Sequence, residues 1–220
     1  MEIKDNIGPS LLVYSGGMDS TVMLYRFRSD IRLAVTFTYG ARQDEPQLAC
    51  ARKNCSALGV EHIVIPLEFI GRYFSSSILK GGQDIPHSSY DEGNMHSTVV
   101  PFRNGIMLAV AVGLAESRGL GNVLIASHSG DHAIYPDCRP SFNEAMDGAA
   151  REGTYEGIRI TAPFNSLTKR EIALIGRDLG VPFDDTYSCY EGRSLHCGLC
   201  ATCRERKEAL DGFDTTRYEI

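Results

Sequence analysis

The chain has 220 residues, with 22 Lys plus Arg against 28 Asp plus Glu, for a formal charge of −6. That balance weighs against a broad polyanion-binding surface, and so against direct binding of nucleic acid. No basic, apolar leader pattern opens the chain, and its longest apolar stretch, residues 106–115, is too short to span a bilayer, so a cytoplasmic protein with no membrane partner is expected.

Apolar, β-rich runs at residues 10–14, 33–37, 62–66, 123–127 and 158–163 are separated by segments with helical signals. This alternation predicts an α/β fold, a parallel sheet with helices on both faces. The first run ends in Ser15-Gly16-Gly17-Met18-Asp19-Ser20, and Thr21-Val22-Met23-Leu24-Tyr25 can continue as a helix. Two adjacent glycines allow a tight turn, and the N–H groups of the new helix point at whatever anion sits there; a phosphate is the natural occupant.

Residues 47–58 read as a second helix, ended by Gly59, with Cys50 and Cys55 as ordinary thiols. Residues 80–99 hold several glycines, Pro86 and no clear period, which marks a loop or lid. Residues 104–118 are apolar nearly all round and should pack deeply, with Gly119 closing the helix. Ser141 with Glu144, and Thr168 with Glu171, each match the capping box and predict two further helix starts.

Cys189, Cys197, Cys200 and Cys203 form CxxxxxxxCGxCxxC ahead of a helical stretch from Arg204. Without a secretion signal these are thiols or metal ligands rather than disulfides. Four thiolates at this spacing can close a structural tetrahedral Zn²⁺ site, whose binding energy would help fold a segment poor in apolar surface. The CxxCxxC step also suits an iron–sulfur cluster, and spacing alone does not decide between them. His196 reads as a neighbour rather than a ligand.

The glycine turn lacks the lysine of a Walker A loop, and its contiguous glycines do not fit a dinucleotide fingerprint. It resembles the SGGxDS loop of the ATP pyrophosphatase (PP-loop) superfamily. The resemblance implies an adenine-nucleotide α-hydrolase-like, Rossmann-like sheet. It also implies that ATP lies along Tyr14, Ser15, Gly16, Gly17, Met18, Asp19, Ser20, Thr21, Val22, Met23 and Leu24. Pyrophosphate would leave as an acid attacks the α-phosphate, with Asp19 acting through Mg²⁺ because a bare carboxylate would repel ATP.

Three further stretches narrow the resemblance: Val99-Val100-Pro101-Phe102-Arg103-Asn104, Tyr135-Pro136-Asp137-Cys138-Arg139-Pro140, and Tyr187-Ser188-Cys189-Tyr190 leading into the cysteines. Together and in this order they resemble the QueC family over essentially the full length. What this implies is a carbon–nitrogen ligase of queuosine and deazapurine biosynthesis. It would convert 7-carboxy-7-deazaguanine and ammonia to 7-cyano-7-deazaguanine with ATP, by carboxylate adenylation, amide formation and dehydration. The implied organisation is a PP-loop domain over residues 1–185, a zinc-binding segment with its helix over 186–220, and a homodimer.

Asp19, Arg103, Asp131 and Asp137 are the implied catalytic set, with Tyr135, Arg139 and Lys169 as further substrate contacts. Arg103 would pair with phosphate or the substrate carboxylate, and Asp131 and Asp137 with the amino-imino edge of the deazaguanine or with a metal. His128 and His132 could move protons or be structural. Many family members read Tyr-Gly-Gln-Arg-His followed by Glu where this chain has Tyr39-Gly40-Ala41-Arg42-Gln43 and Pro46. The loop Gly130-Asp131-His132-Ala133-Ile134 also departs from the shorter family pattern. These departures keep a paralogue with a related acid or acceptor as an alternative. A tRNA-thiolating enzyme would want a basic surface and an appendage that the sequence lacks, and a non-catalytic nucleotide-binding module would not need Asp19.

Overall fold

All five apolar runs become strands in the computed structural model, which describes residues 7–87 and 95–220. They are β1 (Ser10–Val13), β2 (Ile31–Thr38), β3 (Glu61–Pro66), β4 (Asn122–Leu124) and β5 (Arg159–Thr161). They form one parallel sheet in the order β3-β2-β1-β4-β5. The helices that position the site are α1 (Met18–Arg26), α2 (Asp44–Leu58), α3 (Glu68–Tyr73), α4 (Arg103–Ser117), α5 (Pro140–Gly153), α6 (Lys169–Asp178) and α7 (Ala201–Ala209).

Side chains alternate across the sheet, and each face has its own helical cover. Leu11, Val35 and Val123 pack on the side of Met107, Leu108 and Ala111 from α4. Their neighbours Leu12, Ala34 and Leu124 face Val22 and Met23 of α1 and Ile172 and Ala173 of α6. Burial of each such aliphatic side chain contributes about 1.5–3 kcal/mol, so the central strands need no polar alternation. Strand order reverses between β1 and β4, and the carboxyl ends of those two strands form the crevice where such sheets place ligands.

Helix ends follow local chemistry with two differences from expectation. Thr168 makes its capping box with Glu171, and Gly59 ends α2 in the left-handed conformation. Ser141 makes no cap: α5 starts one residue earlier at Pro140, whose missing N–H is harmless in a first turn, so Ser141 lies inside the helix. Helix α2 begins at Asp44 rather than near residue 47, because the Asp44 carboxylate accepts from the N–H groups of Tyr39, Gly40 and Ala41 at 2.9, 2.8 and 3.0 Å.

Helix α4 is buried along one side only; Ile106, Val110 and Leu114 remain half-buried. The stretch His96–Ser117 has the length and composition of a membrane-crossing segment, but the chain breaks helical conformation at Phe102, φ +55°, and half of the stretch is buried inside the molecule. Of the expected loop at residues 80–99, Arg42 holds one end by donating to the carbonyls of Gly82 and Gln83, and residues 88–94 lie outside the described residues. The cysteine segment is part of the main core, since Cys189, Cys197, Cys200 and Cys203 cluster with Leu11, Val35 and Phe37.

Candidate active site

Immediately after β1 the backbone turns at Gly16, where φ is +80° and a Cβ would collide with the Gln47 carbonyl of α2. Only glycine satisfies both the left-handed conformation and that close approach. The turn is clasped from the C-terminal segment: Tyr187 N–H donates to the Gly16 carbonyl at 3.0 Å, and Gln47 Nε2 donates to the Tyr187 carbonyl at 3.2 Å. Gly17 then caps α1 without any side-chain hydrogen bond to the helix. The first N–H groups of α1 are left facing the crevice, which makes an anion site.

The hydroxyls of the loop hold its shape. Ser15 and Ser20 hydroxyls lie 2.9 Å apart, and Thr21 Oγ1 donates to the Gly17 carbonyl at 2.7 Å while meeting Tyr14 Oη at 3.1 Å. Tyr14, Ser15, Gly17, Met18, Asp19 and Ser20 line a cavity of about 220 Å³. Thr21, Val22, Met23 and Leu24 are fully buried behind it.

Across the mouth of this loop lies a charged group drawn from four places in the chain. Lys169, the first residue of α6, reaches Asp19 Oδ2 at 3.4 Å and Glu205 Oε2 of α7 at 2.7 Å. His128 accepts from the Gly130 N–H through Nδ1 at 3.1 Å, so in the neutral ring Nε2 carries the proton; it faces Asp131 Oδ2 at 3.4 Å and Asp19 Oδ2 at 3.9 Å. Burial alone would push the Asp19 carboxyl up, but the Lys169 and His128 charges outweigh it and hold Asp19 below its ordinary value. Lys169 stays charged for the reciprocal reason, with Asp19, Glu205 and Asp131 overcoming its desolvation. Asp19 Oδ1 is buried without a hydrogen-bond partner among the described residues. An orphaned carboxylate oxygen is the ligand atom that Mg²⁺ takes from a protein when it also binds phosphate, and the adjacent helix N-terminus suits that phosphate, so the residues fit that ion.

The opposite wall carries Arg103. Phe102, at φ +55°, turns the chain into α4 so that Arg103 lies at its first position and on the cavity. Its guanidinium donates to neutral oxygens, Tyr39 Oη at 3.2 Å and Asn104 Oδ1 at 3.3 Å, and lies over the Tyr39 ring. Asp137 does not pair with it directly. Its carboxylate accepts from the Asn104 N–H at 2.8 Å and so caps α4 behind the cavity wall. Arg139 is exposed and donates to the His132 carbonyl, and His132 itself turns to Asn165. Tyr135 lines the cavity with Tyr190, their hydroxyls 2.9 Å apart, and burial pushes both phenols up so that they remain donors.

Asp19, Arg103, Asp131, Tyr135 and Lys169 therefore meet at one cavity, whereas Asp137 and Arg139 stand outside its lining. Gln43 and Ser127 also line it, almost wholly buried, each with a side-chain oxygen that lacks a partner among the described residues. Ser127 carried a usable signal, a polar residue just beyond β4 at the reversal point, and Gln43 stood out as a departure from the family pattern. Glu205 gave no local signal at all.

The four cysteines are buried, with their sulfurs all within 4.8 Å of one another. Cys197 and Cys203 sulfurs are 3.9 Å apart and those of Cys189 and Cys200 4.0 Å. One ion at ~2.3 Å from four tetrahedral sulfurs requires about 3.8 Å between them, so the group fits a single metal ion. Gly198, at φ +79°, makes the knuckle that lets Leu199 and Cys200 N–H groups donate to Cys197 Sγ at 3.4 and 3.3 Å. His196 accepts from the Ser188 N–H and is held between Tyr187 and Tyr218, apart from the ligand set.

Comparison with known proteins gives the family of the chain. The family model for queuosine biosynthesis protein QueC matches residues 9–214. The chain is 56% identical over 213 residues to 7-cyano-7-deazaguanine synthase of Porphyromonas gingivalis, covering 96% of this chain and 97% of that one. It is 50% identical over 216 residues to the synthase of Desulfotalea psychrophila, covering 96% and 99%. Among solved structures, NMN synthetase from Francisella tularensis superimposes with a TM-score of 0.53 at 16% identity, over 94% of this chain and 79% of that one. The tRNA thiolase NcsA from Methanococcus maripaludis gives 0.52 at 14%, over 96% and 68%, and at such identities these two show the shared fold alone. Loop, cavity and cysteine segment all fall within one family match, and the chain belongs to the QueC family, the 7-cyano-7-deazaguanine synthases.

Proposed function

We propose that this cavity converts 7-carboxy-7-deazaguanine, ammonia and ATP to the nitrile 7-cyano-7-deazaguanine through two rounds of adenylation. The observation that carries the reading is that one cavity holds both an uncapped helix N-terminus and Arg103, a cation whose hydrogen bonds go to neutral oxygens. The first suits the leaving pyrophosphate and the second a substrate carboxylate.

In the first round a carboxylate oxygen attacks the α-phosphorus, the bond to pyrophosphate breaks, and the loop N–H groups and Lys169 receive the charge that accumulates there. Ammonia then adds to the acyl carbon and AMP leaves, giving the amide after loss of a proton. The amide oxygen then attacks the α-phosphorus of a second ATP and releases a second pyrophosphate; departure of that oxygen as AMP, with the two remaining protons lost from nitrogen, leaves the C–N triple bond. Mg²⁺ held through Asp19 would neutralise phosphate charge in each round. Asp131 lines the cavity while Asp137 is engaged with α4, so reading of the amino-imino edge falls to Asp131, assisted by the Tyr135 and Tyr190 hydroxyls.

The four cysteines would hold Zn²⁺ in a structural role, supported by their tetrahedral separation and the N–H donors at Cys197. A second copy of the chain would cover the half-buried Ile106, Val110 and Leu114 and the exposed Phe102, which supports a homodimer. The test of the ATP site is Asp19→Ala: pyrophosphate release falls to background while the far-ultraviolet spectrum is retained, and turnover at the wild-type rate would reject the role.

A further inference from the structure

We propose that Glu205, on the helix α7 that also carries Cys203, is a positioning residue for ATP: it holds Lys169 back from Asp19 and so keeps the Asp19 carboxylate available to the phosphate side of the cavity. The proposal rests on Asp19 being that phosphate-side carboxylate. Lys169 Nζ lies 2.7 Å from Glu205 Oε2 and 3.4 Å from Asp19 Oδ2. Charge-assisted contacts settle near ~2.7–2.9 Å, so the tight bond is to Glu205 and the slack one to Asp19.

The geometry makes this division directional. Lys169 and Asp19 line the cavity, whereas Glu205 stands behind them. Glu205 Oε1 also lies 3.3 Å from where a Cβ on Gly130 would stand, which wedges the side chain between the start of α6 and the turn after β4. The Lys169, Glu205 and Asp19 side chains are only 12%, 15% and 20% exposed, so solvent screens their interaction weakly. Without Glu205, the lysine has Asp19 as its remaining carboxylate within 4.0 Å among the described residues. It would close onto Asp19, occupying the carboxylate and withdrawing its own charge from the cavity. The cysteine segment thereby contributes to ATP use through a residue that is neither a metal ligand nor a wall of the cavity.

The experiment uses metal-loaded, full-length Glu205→Gln, with ATP and acid varied in turn while pyrophosphate release is followed. Loss of one charge-assisted contact predicts a KM for ATP raised about tenfold, with the KM for the acid and the bound metal unchanged. Calorimetric titration with MgATP in the absence of acid shows the same shift, and Glu205→Asp recovers part of it. ATP parameters equal to wild type overturn the proposal, as do equal losses for both substrates accompanied by loss of bound metal, which mark a merely structural residue. Asp19→Ala is measured in parallel. If it still releases pyrophosphate, the reading of Asp19 fails; if it is inactive and Glu205→Gln matches wild type, the Glu205 proposal alone fails.

Discussion

At the scale of single residues, the site separates charges that line the cavity from charges that hold the scaffold. Arg103 and Asp137 are neighbours in the fold and both were expected to meet substrate, yet only Arg103 lines the cavity, because Asp137 is engaged by the first turn of α4. Arg103→Met should therefore lower kcat/KM for the acid about 10- to 100-fold, the range expected for removing a charge-assisted contact, while the KM for ATP changes little. Steady-state kinetics with each substrate varied in turn checks this. Gly16, Asp19 and the cysteines were legible in the sequence because each belongs to a short motif whose chemistry is local. Gln43 and Ser127 on the cavity wall and Glu205 against Lys169 owe their places to residues far away in the chain, and no spacing rule points to such contacts.

At the scale of elements, the sheet order explains why a loop after β1 and a turn after β4 share one crevice. The strands were readable from apolar runs alone, since both faces of the sheet are covered and alternation is unnecessary. Helix starts were less so. Asp44 starts α2 by folding back on the preceding turn, and Pro140 rather than Ser141 begins α5, choices governed by backbone groups that a residue pattern does not display. Thr168 matters beyond its helix because Lys169 follows it directly. Thr168→Ala removes the capping box and should cost about 1 kcal/mol. For a chain of this size that is a fall in Tm of roughly 2–4 °C, measurable by thermal denaturation.

At the scale of the whole molecule, the cysteine segment is bound into the same core as the sheet and clasps the loop through Tyr187. A metal ion bound by the four cysteines should therefore stabilise the entire chain. Structural zinc typically contributes ~10–16 kcal/mol, and loss of even about 3 kcal/mol would lower Tm by roughly 6–12 °C. Thermal denaturation before and after treatment with a chelator, with elemental analysis of the released ion, checks both the effect and the identity of the metal. Activation and nitrile formation must then occur in one cavity. The most direct measurement is mass spectrometry of the products after incubating the protein with 7-carboxy-7-deazaguanine, ammonia, Mg²⁺ and ATP. The expected products are 7-cyano-7-deazaguanine, AMP and pyrophosphate, with the amide as an intermediate. Acid recovered unchanged, or an adenylate that never yields amide or nitrile, would contradict that reaction.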